Sequence, residues 1–265
     1  MNPPPAPATS CSPTQTETRS SSTSTSPARL HTGPSKWVPC LPHARVIYGS
    51  KRPSPRSQRL APALLDRARQ AMAAAPMSQD AQHPPTIDLE TVRLRPLGTA
   101  DAAALYAYLR EPVVTELTSY PEVTPQLVET MIQRSAARWA AGEPSRWAVA
   151  LRNDDQLVGT CGFNDVSLPH RWAEIAFDLA PAHWGRGLMR QAVAAALHWA
   201  FQKDQLDRVH AYVRVDNLRS QRLLEQSGFL REGRLRRFRL CRGHPHDFFI
   251  YALLRSDASA SAQSS

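Results

Sequence analysis

No stretch of the chain stays apolar over the roughly 18 residues that a membrane-spanning helix needs, so no transmembrane anchor is expected. Cysteine is scarce. There are four, Cys11, Cys40, Cys161 and Cys241, and none stand at C-x-x-C spacing. That gives no basis for a zinc site or a disulfide framework, and it suits a reducing, cytoplasmic setting. Charge is also lacking where a nucleic-acid-binding face would need it. The net charge is +9, but residues 1–76 hold ten basic and two acidic side chains, while the remainder holds 22 and 21. A nearly neutral main part does not support a broad basic binding surface.

Apolar periodicity is missing from the same N-terminal stretch, which carries 13 of the 23 prolines and the run "SSSTSTSPAR". Such a segment buries too little surface to offset its ordering entropy, so a disordered leader is expected over residues 1–84. No apolar central region suggests a signal peptide. An Arg- and Ser-rich, acid-poor transit peptide is a weaker reading, and a true start at Met72 or Met77 is another. The polar end, 257–265, is expected to be an unstructured tail.

From residue 85 to 256 the texture is that of one folded domain. "TVRLRPL" alternates and reads as a strand; "TADAAALYAYLR" reads as a helix with Thr99 or Asp101 as its cap. "TPQLVETMIQRSAARWAAG" opens on Thr124 and Pro125 and closes on Gly142, a second helix. "RWAVALR", "QLVGTCGF" and "AEIAFDLA" are strands, followed by the helix "LMRQAVAAALHWAFQK" and the alternating strand "RVHAYVRV". "NLRSQRLLEQSG" is a short helix between Asn217 and Gly228, and "FLREGRLRRFRL" and "HDFFIYALL" are two final strands. This order predicts a mixed α/β (α+β) domain around a mostly antiparallel twisted sheet flanked by helices, with one parallel crossover.

The crossover carries the stretch "HWGRGLMRQA", His183 to Ala192. Amides of a first helical turn lack partners, and the helix dipole adds partial positive charge there. Gly185 and Gly187 let the backbone approach an anion, and Arg186 adds charge. The spacing is neither a P-loop, since no Lys follows at the required place, nor a dinucleotide fingerprint, since position 190 is Arg. On this stretch alone, a phosphate cradle and a plain glycine turn are equally good readings.

The surrounding pieces "TVRLRPLGTADAAALY", "WAVALRNDDQLVGTCGFNDV", "AEIAFDLAPAHWGRGLMRQAV" and "NLRSQRLLEQSGFLREGRLR" favour the cradle. In order and spacing the chain resembles the GNAT N-acetyltransferase superfamily, RimJ/RimL branch, from about Thr91 to Leu254. The resemblance implies a splayed central strand pair, and acetyl-CoA as cosubstrate with no metal. It implies that backbone amides along Trp184, Gly185, Arg186, Gly187, Leu188, Met189 and Arg190 hold the coenzyme A pyrophosphate. Trp184 and Met189 depart from the general Q/R-x-x-G-x-G/A loop.

The same resemblance implies that Asn217 bonds the pantetheine arm and that Ser220 donates to the coenzyme A sulfur. The tyrosine found there in many members is Leu224 here. Their plain alternatives are a helix cap and a surface hydroxyl. Glu174 matches a glutamate common in the branch and is the candidate general base. Alternation in an unbroken strand puts Asp178 on the same face, but the resemblance implies a bulge in this strand that would break the alternation. Glu116 is expected in a substrate-facing loop. Cys161 reads as a buried strand cysteine and not a nucleophile. His244 and His246 read as a loop between the last two strands, and Trp139, Trp147, Trp172 and Trp199 as packing residues.

The implied activity is acetyl transfer to a primary amine by direct attack, with a protein N-terminal amine of the ribosomal-protein type as acceptor. A small-molecule amine or antibiotic is the alternative acceptor, and a non-catalytic acyl-CoA-binding module the alternative function. No membrane partner and no nucleic-acid binding by the folded domain are expected.

Overall fold

The computed structural model describes residues 84–202 and 206–258. Apart from Pro84, Asp257 and Ala258, the expected leader and tail lie outside the described residues. Among the described residues, no helix is long and apolar enough to cross a membrane.

Eight strands form one sheet: β1 (Ile87–Asp88), β2 (Val92–Pro96), β3 (Arg146–Leu151), β4 (Leu157–Ser167), β5 (Trp172–Leu179), β6 (Arg208–Arg214), β7 (Leu230–Cys241) and β8 (His244–Leu254). The helices that accompany them include α1 (Ala102–Leu109), α2 (Pro112–Thr115), α3 (Pro125–Ala140), α4 (Leu188–Gln202) and α5 (Leu218–Gln226). The strand order is β1-β2-β3-β4-β5-β6-β8-β7. Every neighbouring pair is antiparallel except β5 and β6, which α4 connects. The mixed, mostly antiparallel sheet flanked by helices is the architecture the sequence predicts.

Local signals place most element ends. The Thr124 hydroxyl accepts from the Leu127 amide at 3.1 Å and Pro125 occupies the first turn of α3. Before α1, a single 3₁₀ turn spans Thr99–Asp101, and Asp101 accepts from the Gly98 amide at 2.9 Å. The short α2 was not visible in the sequence, where its four residues show no period.

Strand alternation sends β3 side chains to two buried clusters. Trp147 and Val149 join the larger one with α4, whose residues Val193, Leu197 and Phe201 are all buried. Ala148 joins the second, with Leu105 and Leu109 of α1 and Val128 and Ile132 of α3. Trp139, Trp147 and Trp199 meet edge to face, with centroids 4.8–5.5 Å apart, as packing residues should.

Two expectations are corrected. His244 and His246 lie in β8, not in a loop. Only Arg242 and Gly243 separate β7 from β8, with φ of +50° and +79°, as a tight two-residue hairpin turn demands. The bulge expected in β5 lies one strand over. Phe163 pairs with Ile175 and Asp165 with Glu174, so Asn164 of β4 is the extra residue. Two arginines hold it there. Arg138 of α3 donates to the Asn164 carbonyl at 2.8 Å, and Arg146 donates to its side-chain oxygen at 2.8 and 3.1 Å.

Candidate active site

The parallel pairing of β5 with β6 stops early. It runs from Trp172–Arg208 to Glu174–His210, and beyond that the strands part. A cleft of about 630 Å³ occupies the gap. Glu174 and Ala176 line it from one face of β5, and Ile175 and Phe177 from the other. Adjacent side chains of a strand point to opposite sides, so one cavity meets both sets only where the sheet has opened. The cleft thus passes through the sheet.

The glycine turn stands at the start of α4 and does not itself line this cleft. Gly185 and Gly187 have φ of +76° and +75°, a left-handed backbone that other residues rarely adopt. Among the described residues, none of the N–H groups from Gly185 to Arg190 donates to a backbone carbonyl; the first helical bond of α4 is Gln191 to Gly187. The side chains of Leu188 and Met189 are buried in the core, which leaves their amides as the groups able to face a ligand. Arg186 lies against His183 at 3.1 Å. The buried Nε of Arg190 has no hydrogen-bond partner among the described residues. A row of free amides with an arginine nitrogen suits a polyanion such as a pyrophosphate.

Trp184 pins this turn. Its indole N–H donates to the Leu179 carbonyl at 2.8 Å, and the Arg219 guanidinium lies 3.4 Å from the centre of its ring. The residue therefore ties the end of β5 and the start of α4 to α5. Asn217 caps α5, accepting from the Ser220 amide at 3.1 Å. Both Asn217 and Ser220 line the cleft, so the capping role and a cleft-facing role coexist.

In the cleft Glu174 is nearly buried. Arg239 donates to its two oxygens at 3.2 and 3.1 Å, and Asn164 contacts it at 3.5 Å. The Arg239 guanidinium also stacks over Tyr212 and Phe238, 4.9 and 5.1 Å from the ring centres. It reaches Glu174 because a wide irregularity in β7 sets Arg236, Arg237 and Phe238 opposite Asp247 alone.

With β5 unbroken, Asp178 does share the face of Glu174. It is the hub of a buried cluster. Arg146 Nη1 bonds it at 2.8 Å, the Tyr120 hydroxyl at 3.0 Å and the Thr160 hydroxyl at 2.9 Å; Tyr108 also donates to it. Burial and the Asp178 charge push the Tyr108 and Tyr120 pKa values up, so both stay protonated as donors. Burial works against the charged form of Arg146, but Tyr120 and Asp178 outweigh it and hold its pKa above the ordinary value. Arg146 also grips Asn164, so the cluster braces the bulge beside Glu174. Sequence reading missed Arg146, Asn164 and Arg239, since nothing local marks a strand arginine as an inward one.

The remaining assignments resolve simply. Glu116 is exposed at the end of α2 and does not line the cleft; its backbone is engaged, the amide donating to the Pro112 carbonyl at 2.8 Å and the carbonyl accepting from Arg214 at 2.9 Å. Leu117 to Pro121, just beyond it, do line the cleft. Cys161 is fully buried and burial pushes its thiol up to about 12, which removes it as a nucleophile. Among the described residues no His, Cys, Asp and Glu cluster could hold a metal ion.

His210, paired with Glu174 across the strands, gives a pH signature. Burial pushes its pKa down, against the opposing pull of Glu174. Between the lowered folded value and about 6.5, the unfolded chain binds a proton that the folded chain resists. Stability is fully present above about 6.5 and falls as the pH drops through that window. His183 shifts the same way, through burial and Arg186. His210→Gln is therefore expected to flatten, without abolishing, the drop in urea midpoint as the pH falls below about 6.5.

Residues 91–230 match the family described as acetyltransferase (GNAT) domain. The p20 N-acetyltransferase of Bacillus licheniformis, itself uncharacterised, is 31% identical over 176 residues, covering 65% of this chain and 97% of its own. The ribosomal-protein-serine acetyltransferase of Escherichia coli is 32% identical over 99 residues, 37% of this chain and 55% of its own. Among solved structures, RimL, a ribosomal L7/L12 α-N-protein acetyltransferase in complex with coenzyme A, superposes with a TM-score of 0.60 at 21% identity. It covers 65% of this chain and 99% of its own. The chain belongs to the GNAT acetyltransferase family and is an N-acetyltransferase of that type.

Proposed function

We propose that this enzyme moves an acetyl group from acetyl-CoA to the N-terminal α-amine of a protein, through the opening between β5 and β6. The observation that carries the reading is the cleft where β5 and β6 part, lined by Glu174, Asn217 and Ser220, together with the turn of unpaired amides at the start of α4. The domain responsible spans residues 85–256. Bound acetyl-CoA supplies an activated thioester carbonyl, so no covalent enzyme intermediate is needed.

The chain's own groups then divide the work. Amides from Gly185 to Arg190, with Arg190 Nε, hold the pyrophosphate, and the buried side chains of Leu188 and Met189 keep that backbone in place. Trp184 fixes the turn. Asn217 meets the pantetheine arm, and Ser220 donates to the departing sulfur. Glu174 takes the proton from the incoming ammonium, directly or through water. One of its Arg239 contacts yields to the amine.

The protein acceptor is supported by the similarity to the ribosomal-protein-serine acetyltransferase and to RimL. A ribosomal-protein acceptor also places the reaction in the cytoplasm. The test is mass spectrometry of a mixed peptide and small-amine library incubated with protein and acetyl-CoA. Acetylated peptide N-termini with matching thiol release are expected; acetylation confined to small amines would overturn the acceptor. Ser220→Ala is expected to lower kcat about tenfold or more while changing the acetyl-CoA Kd less than about twofold, separating chemistry from binding.

A further inference from the structure

The cleft does not end at Glu174. A second cavity of about 670 Å³ adjoins it, and Ser119, Tyr120 and Pro121 line both. Its far wall is the β7–β8 turn, with Leu240, Arg242 and Gly243. An acceptor consisting of a small amine alone needs the first cavity only. An amine at the end of a chain must have somewhere for the chain to go, at about 3.3–3.6 Å per extended residue. The second cavity lies within the size range of pockets that enclose ligands of several residues' bulk, roughly 300–1,000 Å³.

Charge gives the chemistry of that chain. Arg110 and Arg242 line the second cavity against a single acid, Glu122. Both arginines are exposed, and neither makes an ion pair with a described residue. Arg242 holds its place in the left-handed region, at φ +50°, where asparagine would be less strained. The adjacent β7 strand presents Arg236 and Arg237 beside exposed Leu240 (63%) and Phe238 (40%). Arginines interleaved with apolar groups along a route from the amine site fit a polypeptide with carboxylates and apolar side chains. They fit a nucleic-acid backbone less well, because residues beyond 76 carry almost no net charge and form no broad basic face.

We infer that the second cavity binds the residues that follow the acceptor amine, and that Arg110 and Arg242 select acceptors with acidic side chains among them. The inference rests on the protein-acceptor reading above. The test uses two octapeptides beginning with serine, identical except for Asp and Glu or Asn and Gln at positions two to four. Each is assayed with the full chain and with the Arg110→Gln/Arg242→Asn variant, which removes both charges and gives the turn an Asn-Gly pair.

The full chain is expected to favour the acidic peptide fivefold or more in kcat/KM, through KM. The variant is expected to lose that preference while its acetyl-CoA Kd and its kcat on the neutral peptide stay the same. Equal kcat/KM for the two peptides, or a preference that survives in the variant, would overturn the inference alone. So would competition with the neutral peptide by a single-stranded RNA but not by an acidic peptide. No acetylation of either peptide, with acetyl-CoA bound, would overturn the protein-acceptor reading and this inference with it.

Discussion

Gly187→Val is expected to raise the Kd for acetyl-CoA at least tenfold while lowering the thermal midpoint by only several degrees. At φ +75° a residue with a Cβ is strained by about 1–2 kcal/mol, more where the side chain is branched. Nothing among the described residues crowds the position: a Cβ there would find Arg190 Nη2 at 3.9 Å as its nearest neighbour. The fold therefore tolerates the side chain, at about 2–4 °C per kcal/mol for a domain of this size. The amides do not, because relieving the strain turns the peptide planes that aim them outward. Calorimetric titration beside a melting curve separates the two effects. A Kd within twofold of the parent would mean that the glycine serves the turn alone.

Asp178→Ala is expected to have the largest effect on stability. It would strand Arg146 without its counter-ion, and leave Tyr108, Tyr120 and Thr160 short of an acceptor. Removing one partner of a buried ion pair costs about 3–5 kcal/mol. The thermal midpoint is therefore expected to fall by about 10 °C or more, and the urea midpoint with it. Asp178→Asn keeps one accepting oxygen and should fall less. The change should also reach activity, because Arg146 holds Asn164, which stands between Asp178 and Glu174. A midpoint shift under about 2 °C would contradict the view that this cluster braces the site.

The sequence made much of the fold legible because its local signals agree with one another. Thr124 with Pro125, Asn217, Gly142 and Gly228 bound their helices, and the alternation of Val209, Ala211 and Val213 marks a strand. The glycine turn was legible for the same reason: it is built from backbone, over a few consecutive residues. What could not be read are contacts made by strand order. Arg239 meets Glu174, 65 positions away, across β6 and β8, because the β7 irregularity turns the guanidinium inward. Arg146 and Asp178 were both plain charges on alternating strands until pairing through β4 brought them together. The sequence offers Trp184 as a cofactor contact, and the structure adds what its ring does within the protein: it joins β5, α4 and α5.

The proposed cradle is open to a direct measurement. Amide hydrogen exchange of the segment 184–191 should be compared with and without saturating acetyl-CoA. The N–H groups of Gly185 to Arg190 have no backbone acceptor among the described residues, so a bound ligand is expected to slow their exchange. Marked slowing confined to this segment and the start of α5 is the predicted result. Saturable binding of acetyl-CoA with no change in exchange between 184 and 191 would contradict the account.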